Sequence, residues 1–301
     1  MGAFRYFQKY LVACFVLATS ITLCLDFTQS ADIHFRYGFG SNFNDGNQVF
    51  SMDRSYYTFN LQANNHTSTV VKLNLNTSSN VNNLNPDFIN NAYVQIGHMI
   101  IGKQTIPFGS YTNRGIADPF SRTFEEIVRA GISSQLDFNQ ILFINGALVN
   151  NGVNDSMTAA AMKISLMPKK EYLFQQSVFI DQENNNGSKV YRVDIHGMVS
   201  IAVSKAILDL EVYRCLFGNN KNAMTIDASL LVSALEDMDT VLRISYANSV
   251  AATVLNKSVS ISAGLNYHLN SNLILSFEGA YISKPANTSA INMLSMLSIN
   301  F

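Results

Sequence analysis

The sequence predicts an all-β protein: a transmembrane antiparallel up-and-down β-barrel of about 16 strands, with no plug domain. Three observations predict it. Charged residues make up only 14% of the 301 residues, hydrophobic ones 48%, and the net charge is −1. A soluble domain carries about 25% charged residues, so this surface is under-charged for water. Beyond the N-terminus no apolar run reaches the roughly 18 residues that read as a membrane helix. Instead, short segments of alternating polarity recur to the last residue, joined by connections that are alternately long and short. That pattern is the signature of a barrel crossing an outer membrane.

The elements follow in order. Residues 1–30 read as a signal peptide, with Arg5 and Lys9 ahead of an apolar run from Tyr10 to Leu25 and cleavage expected after Ser30. The barrel is then expected over 31–301, and the cell outer membrane is the expected location. Cys14 and Cys24 leave with the signal, so Cys215 remains alone and no intramolecular disulfide can form. Six Asn-x-Ser/Thr triplets reflect abundant asparagine in polar connections and are not read as glycosylation sites.

Strands are expected at about 31–41, 53–63, 67–76, 88–96, 98–105, 125–137, 140–149 and 156–167. The second half continues with 171–181, 189–203, 205–217, 223–235, 239–248, 257–268, 272–281 and 290–301. A count of 14 is the competing reading. The clearest segment runs Tyr191-x-Val193-x-Ile195-x-Gly197-x-Val199-x-Ile201, with Arg192, Asp194, His196 and Ser200 on its other face. A soluble sandwich would charge its second face, whereas here that face is mostly Ser, Asn, Thr and Gly with isolated charges, which suits a wet lumen. The final strand alternates from Ile291 and stops on Phe301. It resembles the C-terminal strand by which the barrel assembly machinery recognises its clients, so Phe301 is read as the assembly signal. Trp is absent, leaving 13 Tyr and 20 Phe for any aromatic girdle.

Sixteen strands is the size class that leaves an aqueous channel. Spread over about 271 residues, they leave no length for a plug, so passage would be diffusive or ligand-facilitated. The longest connection, Ile106–Phe124, contains Pro107, Gly109, Gly115 and Pro119, none suited to a strand interior. It is expected on the extracellular side, and is a candidate to fold inward as a constriction. Lys103, Arg114 and Arg122 would place positive charge near the mouth. Arg36, Lys72, Arg129, Lys163, Arg192 and Arg243 fall on the inward phase and would continue it down the lumen. A ring of such side chains selects anions. The alternative for each cation is to pair across the wall with Asp194, Asp209, Glu211 or Glu278.

No enzyme is read here. His34, His66, His98, His196 and His268 are scattered, and none sits in a nucleophile motif. Metal-ligand spacings and phosphate loops are also missing from the sequence, so no metal and no cofactor are expected. The charge balance offers no basic face for nucleic acid. The expected partners are outer-membrane lipid, the assembly machinery and a small solute.

The segment Asn91-Ala92-Tyr93-Val94-Gln95-Ile96-Gly97 is followed by Gly102-Lys103-Gln104-Thr105-Ile106-Pro107-Phe108-Gly109, then by Asp118-Pro119. These roughly 40 residues resemble the motif region of the siderophore porins typified by the legiobactin receptor, with an "AYV" strand, a "GKQ-x-x-PFG" turn and a following "DP". The resemblance implies a plug-free outer-membrane barrel that takes up ferric siderophore, an anionic ligand when of the carboxylate type. A general or anion-preferring diffusion porin is the alternative, and a structural or adhesive barrel a more distant one.

Overall fold

The computed structural model describes residues 26–40, 49–52, 55–75, 89–110, 127–150, 157–185, 188–218, 222–248, 257–283 and 289–300. Seventeen strand segments form one antiparallel sheet. They are β1 (Asp26–Gly40), β2 (Val49–Met52), β3 (Tyr56–Asn64), β4 (Thr67–Asn74), β5 (Ile89–Ile96), β6 (Met99–Thr105), β7 (Val128–Phe138), β8 (Leu142–Val149) and β9 (Ala159–Lys169). The second half is β10 (Tyr172–Asn185), β11 (Ser188–Val203), β12 (Ala206–Phe217), β13 (Met224–Leu235), β14 (Met238–Asn248), β15 (Ser258–Asn270), β16 (Leu273–Ser283) and β17 (Ser289–Asn300).

Apart from β2 and β3, which both pair with β1, each segment pairs with its chain neighbour, and β1 closes the ring by pairing with β17 from Asp32↔Asn300 to Gly40↔Asn292. On its other side β1 pairs with both β2 and β3. These two are halves of one stave, so the barrel is closed by sixteen staves. The break has a local cause. Between the pairs Asp32↔Tyr56 and Phe35↔Met52 the partner carries one residue more than β1, which is the definition of a bulge. Ser55 sits at the break, fully buried, and its hydroxyl accepts the His34 amide at 2.9 Å and donates to the His34 carbonyl at 3.3 Å. The backbone groups that the bulge would leave orphaned are therefore satisfied.

The alternation sorts side chains as a barrel requires. Along β12, Leu208, Leu210 and Val212 are 49%, 46% and 39% exposed on the outside, whereas Asp209, Glu211 and Tyr213 are 5% exposed or less on the inside. Short turns join the staves at one end: Asn65–His66, Gly97–His98, Asn139–Ile141, Lys170–Glu171, Ser204–Lys205, Glu236–Asp237 and Ser271–Asn272. Two of the differences from the expected spans have a clear pairing basis. β1 begins at Asp26, five residues before the expected barrel start, because Asp26–Asp32 pair with Gln62–Tyr56 beyond the end of β17. The β10–β11 hairpin reaches Asn185↔Ser188, while β9 accompanies β10 only to Ile180. Of the expected leader over 1–30, residues 1–25 lie outside the described residues, while 26–30 form the start of β1.

Candidate functional site

β6 carries the chain to the long-connection end of the barrel and then leaves the wall. Its register places Gly102 opposite Tyr93 on one side and Gly131 on the other. Gln104 follows on the same inward face, 4% exposed, its Oε1 accepting the Ser133 hydroxyl at 2.5 Å. Ile106 still bonds to the wall, donating its amide to Ile127 at 3.0 Å. The Phe108 amide then donates to the Ile106 carbonyl at 2.8 Å, a three-residue turn centred on Pro107, whose ring pre-sets the required φ. Gly109 completes the change of direction with φ +79°, in the region that favours glycine.

This turn drives Phe108 into the lumen, where it is fully buried. Its ring centroid lies 5.8 Å from Phe179, 6.3 Å from His196 and 6.3 Å from Tyr213. Beneath it the inner faces of β8 and β9 offer Ala147, Val149, Ala159 and Ala161, which pack with Ile106 and Phe108 in one apolar cluster. Small side chains there leave the volume that the segment occupies. Polar contacts fix its far end. The Gly109 amide donates to Ser177 Oγ at 3.0 Å, and Lys163 Nζ donates to the Gly109 carbonyl at 2.7 Å. Ser110 Oγ donates to Glu211 Oε1, which also meets His196 Nε2 at 2.7 Å. Ile106–Ser110 is thus seated against five staves, β8 to β12, and narrows the lumen on that side.

The charges sort differently from a simple positive ring. Arg192 binds Asp194 Oδ2 through both Nε and Nη2 at 2.5 Å, with its guanidinium carbon 5.9 Å from the centre of the Phe179 ring. Lys163 is committed to the Gly109 carbonyl. Lys72 stacks on the Tyr56 ring at 3.8 Å. Arg243 faces inward, 5% exposed, in register with Ser229 and Ser262, on an inner wall that also buries Asp209, Asp227 and Glu278. Arg129 also faces inward, across from Gln104; its Nη1 reaches only the Val128 carbonyl at 3.3 Å, and its buried Nε has no partner among the described residues.

Lys103 departs from its expected place at the mouth. It shares its face with Met99 and Ile101, which are 45% and 41% exposed on the outside, and its Nζ donates to the Ile89 carbonyl at 2.6 Å. The physical reason is strand phase: Gly102 and Gln104 point inward, so the residue between them cannot. Arg114, Arg122, Asp118, Pro119 and Phe301 lie outside the described residues.

Of the residues that receive the segment, the sequence put His196 on the inward face and offered Glu211 as a pairing carboxylate; Ala147, Ala159, Ala161, Ser177, Phe179 and Tyr213 did not emerge from it. A signal was nonetheless present. The inward positions at the long-connection ends of β8 and β9 are apolar, where a bare lumen wall would be polar. Among the described residues no group of His, Cys, Asp and Glu converges as a metal site. Cys215 is buried, its thiol donating to the Phe217 carbonyl at 3.1 Å.

No family model and no characterised protein sequence matches the chain. Solved structures do match. OmpT of Vibrio cholerae with its loop L8 deleted superposes with a TM-score of 0.69 at 10% identity, over 92% of this chain and 99% of that one. The outer membrane channel DcaP of Acinetobacter baumannii gives 0.70 at 10% identity, over 92% and 97%. An anion-selective porin from Comamonas acidovorans gives 0.70 at 12% identity, over 92% and 99%. The chain has the fold of an outer-membrane porin. At such identity the likeness carries architecture and nothing finer, and a fold does not by itself define a function.

Proposed function

We propose that the chain is a channel of the cell outer membrane, narrowed by Ile106–Ser110, through which a small anionic solute passes. The observation that carries this reading is the seating of Phe108, Gly109 and Ser110 on the inner wall, held by Ser177 and Glu211. The apolar seat stabilises the turn, and the turn takes lumen cross-section on the β8–β12 side. Arg129 supplies the anion preference, since its guanidinium lies on the inward face with Nε unpartnered.

The solute we assign is a ferric siderophore of the carboxylate class. Its support is the resemblance of residues 91–119 to the siderophore porins, in which the GKQ-x-x-PFG stretch is the same one that forms the constriction here. The test is single-channel conductance of refolded protein in planar bilayers, with and without ferric siderophore on one side. Transient, concentration-dependent block is expected. A steady open pore that the siderophore never interrupts would reduce the assignment to a general porin, and absence of any conductance would remove the channel reading itself.

A further inference from the structure

The outward face of β12–β17 is apolar, but it is not smooth. Ala228 on β13, Ala263 on β15 and Gly279 on β16 form the floor of a depression of about 570 Å³ that spans β14, walled by Leu230, Ile244 and Tyr281 among others. A volume of that size falls within the ~300–1,000 Å³ of ordinary ligand sites. The floor at Gly279 is open, because a Cβ built there meets no atom within 4 Å.

One charge belongs to this face. Among the described residues, Arg214 is the single charged side chain at the outward positions of β12–β17. It is exposed, three residues from the long-connection end of β12, and pairs in register with Met224. Ala228 lies four residues further down the same stave as Met224, roughly 14 Å along the strand. Lys257, also exposed, stands at the same end immediately before β15. An arginine on the lipid face costs about 2–4 kcal/mol at mid-bilayer but only ~0–1 near the interface, so Arg214 belongs at headgroup level. The arrangement is therefore a cation at the headgroup plane above an apolar trough.

We propose that this face binds a phosphorylated, multiply acylated lipid of the outer leaflet, with one acyl chain in the trough and a phosphate on Arg214. The site rests on the outer-membrane reading above, which places this face in lipid. Its occupant is an anionic amphiphile rather than a second copy of the chain. The sign and height of the charge ask for a phosphate, and the trough asks for a narrow flexible chain.

The probe is bis-phosphorylated lipid A, offered to the refolded full chain in detergent and read by native mass spectrometry, with the fully dephosphorylated lipid as comparison. Arg214→Gln and Gly279→Leu are each expected to weaken retention by about tenfold, the loss of one charge-assisted contact or of the chain's seat. Heat-modifiable mobility monitors folding, and Ala263→Leu replaces Gly279→Leu should the latter not assemble. Only Gly279→Leu should weaken the dephosphorylated lipid. Unchanged retention in both variants would overturn the site. So would phosphatidylglycerol competing as well as lipid A, or an altered oligomer with undiminished lipid binding. A wild type that conducts but retains no lipid A would sink this proposal while leaving the channel reading intact.

Discussion

The amide of Gly109 donates to the hydroxyl of Ser177 at 3.0 Å, across 68 residues of chain. That bond joins the end of a turn that has left the wall to a stave four positions further round the barrel. It is accompanied by the bond from Lys163 to the Gly109 carbonyl and by the contact of Ser110 with Glu211. Both backbone groups of a buried glycine are thereby satisfied inside the lumen. Where a polar backbone enters an interior, that satisfaction is required, and here two staves, β9 and β10, provide the side chains.

Phe108→Ala should release this segment. The phenyl ring is fully buried among Phe179, His196 and Tyr213, and truncating a buried Phe costs about 3–5 kcal/mol. Sixteen closed staves retain the barrel, so the cost falls on the seat of the segment. Single-channel recordings should show larger conductance and more open-channel noise than wild type. Identical conductance and noise would mean that the segment does not limit the aperture.

Gly131→Ala should impair folding, whereas Gly146→Ala should be silent. A Cβ on Gly131 would lie 2.2 Å from the Leu148 carbonyl oxygen and 2.7 Å from the Val149 Cα, both backbone atoms that cannot yield cheaply. At Gly146 a Cβ meets nothing within 4 Å. Refolding yield by heat-modifiable mobility separates the two, and equal yields would show that β7 and β8 can spread at no cost.

Deleting Phe301 should lower membrane assembly far more than deleting Asn185, which the sequence places in a connection and the structure at the tip of the β10–β11 hairpin. β17 alternates Ile291, Met293, Ser295, Leu297 and Ile299 on the outward face and closes the ring against β1, so the last stave to be made is also the seam. The measurement is the fraction of heat-modifiable barrel in isolated outer membranes. Equal assembly of both deletions would remove Phe301 as a signal.

Why the fold was readable and the site only partly so has one physical cause. Strand phase is a local property: with a period of two, a stretch such as Leu208–Val212 reports its own lipid and lumen faces without reference to any neighbour. Connection lengths then order the staves, and sixteen staves close as expected. The half-stave Val49–Met52 escaped because 42–52 reads as a connection: the bulge at Ser55 shifts the phase by one, so these residues do not continue the alternation of 53–63. Lys103 shows the limit in another way. Its charge suggested the mouth, but its phase, set by Gly102 and Gln104, puts it outside. The receiving wall for Phe108 is assembled from five successive staves that begin more than thirty residues beyond it, and no local pattern reports such a convergence. Pro107 and Gly109 showed that the chain must leave the sheet; where it lands depended on small residues at Ala147, Ala159 and Ala161.

Arg129→Glu tests the assigned preference most directly. Arg129 lies opposite Gln104 at the root of the constriction, on the inward face, with a buried Nε that no described group accepts. Arg192 provides the control, because Asp194 already neutralises it at 2.5 Å. A fixed charge in a narrow, low-dielectric passage biases the permeating ion of opposite sign. Reversing the sign at position 129 should therefore move the reversal potential under a salt gradient towards cation preference. The double substitution Arg192→Gln with Asp194→Asn removes one charge of each sign and should leave that potential unchanged. Ferric-siderophore uptake, followed as iron-limited growth, should fall with Arg129→Glu and persist in the double variant. If Arg129→Glu assembles normally and changes neither the potential nor growth, Arg129 only solvates the wall, and the channel has no anion preference of this origin.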